Sequence, residues 1–254
     1  MIDLFFKSLL ISGLLGFIYS YFGMEIVRRG IIFTDIAIAQ FSAVGLAIGI
    51  TFLTNAGFLP LIFGLLAAIL ISTASSSKEK EEEKMEKRKN LTEAFIGMLY
   101  SLGLSLSVLI LSRNPHGMEE FINLTANDIL FANYYDIFKI FALFLIVLIW
   151  IILEKRINLI FPKLKELMFF VLFALSVTLS VKIVGVLIIF SLLVSPALVS
   201  TLFNKNFIFA WIYGTIVSLA AIIISFHFDF PTGFAIVFLH SFLSILTFFI
   251  KKDY

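Results

Sequence analysis

The stretch RRGIIFTDIAIAQFSAVGLAIGI, residues 28–50, begins with two arginines and is then almost wholly apolar, yet it holds Asp35 and Gln40. A helix needs about 20 such residues to cross the hydrocarbon of a bilayer. The apolar positions are continuous and do not alternate with a period of two, which argues against a strand. The whole chain follows this lead. Of its 254 residues, 61% are hydrophobic and 14% are charged, and 31 are phenylalanine. An average soluble domain is roughly 25% charged, so lipid is the solvent for most of this chain.

Working outward, apolar runs near residues 4–24, 35–54, 57–77, 91–112, 134–153, 166–181, 183–202, 206–226 and 232–250 are nine candidate spans. The expected fold is all-α, a polytopic membrane bundle of about 8–9 transmembrane helices. The sixth and seventh runs are short and separated only by Lys182, so they are two crossings, or one crossing and a re-entrant helix. The first run continues into further spans without an A-x-A cleavage site, so it is read as a retained helix. No repeat at a fixed period is visible, and residues 1–254 are taken as a single domain. The one long hydrophilic run, SSSKEKEEEKMEKRKN, places a mixed-charge loop over residues 78–90.

Basic residues orient the spans. With the N-terminus outside, 15 of the 19 Lys and Arg fall on the cytoplasmic side, including Arg28, Arg29 and the six cations of residues 78–89. That is the bias the positive-inside rule describes, and it puts the C-terminus in the cytoplasm. The net charge of +2 and the lack of a basic stripe give no sign of nucleic acid. The chain has no cysteine, which removes disulfides, thiolate metal sites and cysteine nucleophiles. It also has no G-x-x-x-x-G-K-[ST] loop, no H-E-x-x-H and no G-x-S-x-G. No catalytic set is expected, so the chain is read as a non-enzyme.

Four polar constellations interrupt the apolar pattern. Asp35 opens the second span and has two readings: an N-terminal cap following FT, or a cation ligand on a pathway. Gln40 lies five positions on, about 140° further round a continuous helix, and suits an interhelical hydrogen bond. SRNPHGMEEF, residues 112–121, gathers His116, Glu119 and Glu120 in an outer loop, where imidazole and carboxylate suit Zn, Mn or Fe. HFDFPTGF, residues 227–234, holds His227 and Asp229 beside a Pro–Gly turn, with Thr232 as a helix start. His240, within the last run, is expected to hydrogen-bond a neighbouring helix. Finally, the seventh run reaches Ser195-Pro196, where the proline is expected to break the helix and start a short amphipathic one.

Four pieces of the chain, taken in order, resemble the membrane permease subunits of metal-ion ABC importers, the zinc, manganese and iron uptake family. They are RRGIIFTDIAIAQFSAVGLAIG, EAFIGMLYSLGLSLSVLILSRNPHG, VKIVGVLIIFSLLVSPALVS and FDFPTGFAIV. The resemblance implies a homodimer of permease chains in a prokaryotic plasma membrane. It also implies two cytoplasmic ATP-binding cassette subunits and an external metal-binding protein. Energy would then come from ATP on the partner subunit, no cofactor would stay on this chain, and the divalent metal would pass through as cargo. The family's aspartate and histidine lie one helical turn apart on the pathway. Here the aspartate matches Asp35, the position four later is Ala39, and Gln40 takes the histidine's place only with one residue inserted. The resemblance places Ser195, Pro196, Ala197 and Ser200 at the ATPase-facing segment. The alternatives are an ATP-independent transporter or channel for a cation, and the same permease type moving a metal chelate.

Overall fold

The computed structural model describes residues 2–53, 57–75, 82–114, 119, 129–160 and 162–251. His116 and Glu120 lie outside them. The described residues hold nine α-helices and no strand. These are α1 (Ile2–Arg29), α2 (Thr34–Phe52), α3 (Leu59–Ser75), α4 (Glu82–Leu111), α5 (Tyr134–Ile160), α6 (Pro162–Val184), α7 (Val186–Leu202), α8 (Phe207–Phe228) and α9 (Thr232–Lys251). A short 3-10 turn covers Ile129–Phe131.

The nine expected spans correspond to these nine helices, and seven are long and apolar enough to cross a membrane. The other two, α3 and α7, have 17 residues each. At 1.5 Å per residue that is about 26 Å, short of the roughly 30 Å hydrocarbon.

Two boundaries differ from the sequence reading. α4 begins at Glu82, inside the charged run expected to form a loop over residues 78–90, because its Glu and Lys residues favour helix as well as solvent. The second lies between the sixth and seventh runs. Lys182 does not separate them; it sits in the last turn of α6. The break falls at Gly185, whose φ of 84° a residue with a side chain rarely adopts. Another boundary matches it. Asp229 takes a left-handed φ of 53° and closes α8, and Thr232 then starts α9.

Two compact units are present: residues 1–28, 125–146 and 180–254, and residues 29–124 and 147–179. In the first, α7, α8 and α9 pack on one another. The Trp211 indole donates to the Gly13 carbonyl at 3.0 Å, and Phe17 meets Phe144, Phe207 and Trp211 edge-on. Gly23 of α1 lies against the Leu193 carbonyl so closely that a Cβ would overlap it. In the second unit, α2 packs on α3 and α4. There the Ser42 and Thr178 hydroxyls join at 2.8 Å against Gly64, where an added Cβ would lie 2.5–2.6 Å from both oxygens. Close helix approach over small residues is the way membrane helices gain packing, since lipid supplies no hydrophobic drive between them.

Gly23→Ala should therefore lower the melting temperature in detergent, by the equivalent of about 1–3 kcal/mol of overpacking. Gly13→Ala, where nothing lies within 4 Å of the added Cβ, should be neutral or slightly stabilising.

Candidate functional site

The first turn of α2 is built without help from Asp35. The preceding Phe33 is the N-cap residue and makes no side-chain cap. Thr34 satisfies itself locally: its hydroxyl donates to the Ile31 carbonyl at 2.6 Å, and its N–H reaches the same oxygen at 3.3 Å. Asp35 is thus the second residue of the helix, and its carboxylate does not act as a cap. It is 1% exposed; the backbone N–H groups of Asp35 and Ile36 face the carboxylate, but neither oxygen has a donor within hydrogen-bond distance among the described residues. An ionised carboxylate in that state costs several kcal/mol. The helix dipole returns only about 0.3–1 kcal/mol. Physically, Asp35 is suited to receive a cation.

The two arginines that open the stretch have other partners. Arg28 pairs with Glu25. Arg29 lies 3.5 Å from Glu166 and stacks over the Phe169 ring at 4.7 Å.

Gln40 is also buried, at 8% exposure, and its Oε1 has no partner among the described residues. Gly103 of α4 sits against it, where a Cβ would lie 3.0 Å from the Gln40 Cβ. α2 runs unbroken from Thr34 to Phe52, so Asp35 and Gln40 leave it about 140° apart. The structure does not bring them onto one face of that helix. Ala39, four residues after Asp35, is buried as well.

The outer-loop residues are placed differently. Glu119 is exposed. His227 and Asp229 are exposed at the end of α8, with the His227 ring edge-on to Phe228. Their turn is closed by other groups: Ser225 Oγ donates to the Phe230 carbonyl at 2.7 Å and joins Thr232 Oγ1 at 2.6 Å. Among the described residues no three of His, Asp and Glu gather into a metal-binding group.

Ser195, Pro196, Ala197 and Ser200 are all buried within α7. The expected break at Ser195-Pro196 does not occur, and α7 runs through the proline to Leu202. The ring fits because Gly214 of α8 faces it: a Cβ there would lie 3.0 Å from Pro196 Cγ. The residues after Pro196 form no amphipathic surface helix, since Ala197, Val199 and Ser200 point inward. The exposed part is the turn that follows, Phe203 to Asn206. Ser200 shapes it from beneath, with Oγ donating to the Asn206 carbonyl at 3.0 Å while its own carbonyl accepts from Lys205 N–H at 2.8 Å. Asn204 adopts φ 52°, and the Asn206 side chain caps α8 by accepting from Phe209 N–H at 3.2 Å.

His240 makes the interhelical bonds expected of it. Nε2 lies 3.0 Å from Ser218 Oγ on α8, and Nδ1 lies 3.3 Å from Ser195 Oγ on α7. The sequence reading missed Ser218 and Gly214. Their i, i+4 spacing on one face of α8 was the available signal.

Comparisons with known proteins agree over the full length. The model of the ABC 3 transport family matches residues 1–251. The "Probable iron transport system membrane protein" of Haemophilus influenzae is 24% identical over 273 residues, covering 99% of this chain and 92% of that protein. Among solved structures, PsaBC from Streptococcus pneumoniae in complex with Fab superposes with a TM-score of 0.71 at 21% identity, over 100% of this chain and 98% of that one. A metal-chelate type ABC transporter in an inward-facing conformation gives 0.67 at 17% identity, over 96% and 85%. At these identities the structural likeness speaks to the fold.

Removing the Asp35 carboxylate should relieve its unpaired burial. Asp35→Ala is expected to raise the melting temperature of the metal-free protein in detergent, because about 1 kcal/mol of lost dipole interaction is smaller than the several kcal/mol of desolvation. A lower melting temperature would mean that the carboxylate is held by a partner.

Proposed function

The chain belongs to the ABC 3 transport family, and from that premise we propose that it is the permease subunit of an ATP-driven importer for a divalent metal ion, Zn, Mn or Fe. The observation that carries the metal reading is the buried, unpartnered carboxylate of Asp35 inside an apolar span. Hard or borderline divalent ions take oxygen ligands, and a transport site must hold its ion weakly enough to release it. The likeness to the Haemophilus protein, an iron transport system membrane protein by name, and to the metal-chelate type transporter supports cargo of this kind.

Asp35 is enclosed by its own chain, so the ion reaches it only when α2 and the helices packed on it, α3 and α4, move apart. Access, rather than affinity, is then the step that ATP controls. A chain without a nucleotide-binding loop takes that energy from a separate cassette subunit. With the N-terminus outside, the exposed turn from Phe203 to Asn206 faces the cytoplasm and meets that subunit. The loops after α4 and α8 then face an external metal-binding protein. All 254 residues serve as one permease domain, and two copies related by a two-fold axis close the pathway.

The test is reconstitution of the chain in liposomes with its ATPase and binding protein, with Zn, Mn and Fe uptake measured side by side. ATP-dependent accumulation of at least one is expected, and it should be lost in Asp35→Ala complexes that still assemble. Equal uptake without ATP would favour a secondary transporter. Unchanged uptake in the variant would remove Asp35 from the pathway.

A further inference from the structure

The cluster around His240 is buried, polar and unused by the metal pathway. We infer that His240 is a positioning residue: through Ser195 and Pro196 it sets the course of the last turns of α7. The role rests on the reading above only in that α7 leads into the turn proposed to meet the ATPase.

Proline has no N–H, so Pro196 leaves the Leu192 carbonyl without its helical donor, and α7 is weakest there. The three elements of the bundle converge on this point. Gly214 of α8 lies against the proline ring, and Ser218, one turn further along α8, reaches His240. His240 of α9 grips Ser195, the residue before the proline, twice. Ser195 Oγ donates to the His240 carbonyl at 2.9 Å, and the same oxygen lies 3.3 Å from Nδ1.

The Gly214 carbonyl also faces the His240 ring, and the Tyr213 hydroxyl also lies by Ser195. For the bonds given above, the hydrogens can be assigned so that each closes. Ser195 has one hydroxyl hydrogen and gives it to the His240 carbonyl. Its oxygen is then an acceptor, which requires the hydrogen on Nδ1. Nε2 becomes the acceptor for the Ser218 hydroxyl. One tautomer of His240 thus satisfies both serines and ties α7, α8 and α9 at the position where α7 lacks a backbone bond. Beyond it, α7 has six residues, 197–202, before the exposed turn. A shift at Ser195 is carried to that turn by the short helical segment between.

A bond elsewhere on the same helix pair supplies the control. Ser225 Oγ and Thr232 Oγ1 join α8 to the start of α9 at 2.6 Å, far from Pro196 along both helices. Ser225→Ala should weaken the bundle without touching the course of α7.

The experiment compares the wild-type complex with its ATPase against His240→Ala, His240→Asn and Ser225→Ala. Amide hydrogen exchange over residues 197–206 is measured in nanodiscs, and metal taken up per ATP hydrolysed is measured in liposomes. His240→Ala is expected to speed exchange in that segment about tenfold, the change that loss of one net hydrogen bond gives, and to lower metal per ATP. His240→Asn, whose amide sits near the place of Nδ1, should restore both. Ser225→Ala should lower the melting temperature while leaving exchange over residues 197–206 unchanged. Unchanged exchange in a folded His240→Ala protein overturns the inference. So does faster exchange with metal per ATP unaltered, or a Ser225→Ala protein that reproduces both effects. Should His240→Ala not fold, Ser218→Ala takes its place under the same criteria. A wild-type complex that takes up no metal defeats the transport reading, and the exchange arm alone then decides the role of His240.

Discussion

Hydrocarbon offers no hydrogen-bond partner, and most of the structure follows from that. Each backbone N–H and C=O in a span must find its partner within the chain, which leaves helices as the element for runs like these. Many hydroxyls follow the same rule, although Ser20 and Ser180 are buried with no partner among the described residues. Ser8, Ser12, Ser176, Ser191 and Thr247 each donate to a carbonyl three or four residues back on their own helix. Such bonds satisfy the side chain but join nothing. Fewer hydroxyls cross between helices, and those that do help specify the bundle, among them Ser42 with Thr178, Ser225 with Thr232, and the two serines on His240.

Asp35 stands out against that background. A serine can bond back to its own helix, whereas an ionised carboxylate only accepts and needs a donor or a cation. The family resemblance and the physical anomaly therefore meet at one residue. Gln40 shares its burial but not its face of α2, so a second oxygen ligand near Asp35 has to come from another element. In the proposed metal reading, the absence of the family's histidine beside Asp35 would leave oxygen ligands, which suit harder ions better than they suit zinc.

Charge at the helix ends directs the chain rather than stabilising it strongly. Lys7 with Asp3, Lys139 with Asp136 and Lys165 with Glu154 are local pairs at 2.7–3.0 Å. Pairs of this exposure contribute about 0–1 kcal/mol each. Lys251 has a more specific place: it donates to the Leu202 carbonyl and lies over the Phe203 ring. It thereby covers the end of α7, one of the two helices too short to span the hydrocarbon, at the start of the exposed turn.

The class of the fold was legible because length and hydrophobicity are summed over whole segments, and no single residue can overturn the sum. Nine runs, their order, the Asp229–Thr232 turn and the interhelical role of His240 could all be read from residues 1–254 alone. The effect of Pro196 could not. Its local propensity favours a break, but Gly214 on another helix makes room for its ring, and α7 continues. For the same reason the burial of Ser195, Ala197 and Ser200, and the exposure of the turn after them, depended on which helices pack together. That Asp35 would be enclosed and unpaired, rather than capping its own helix, was likewise decided by the tertiary structure. Burial and partnership belong to neighbours far away in the chain, and a linear pattern reports only what lies within a few turns.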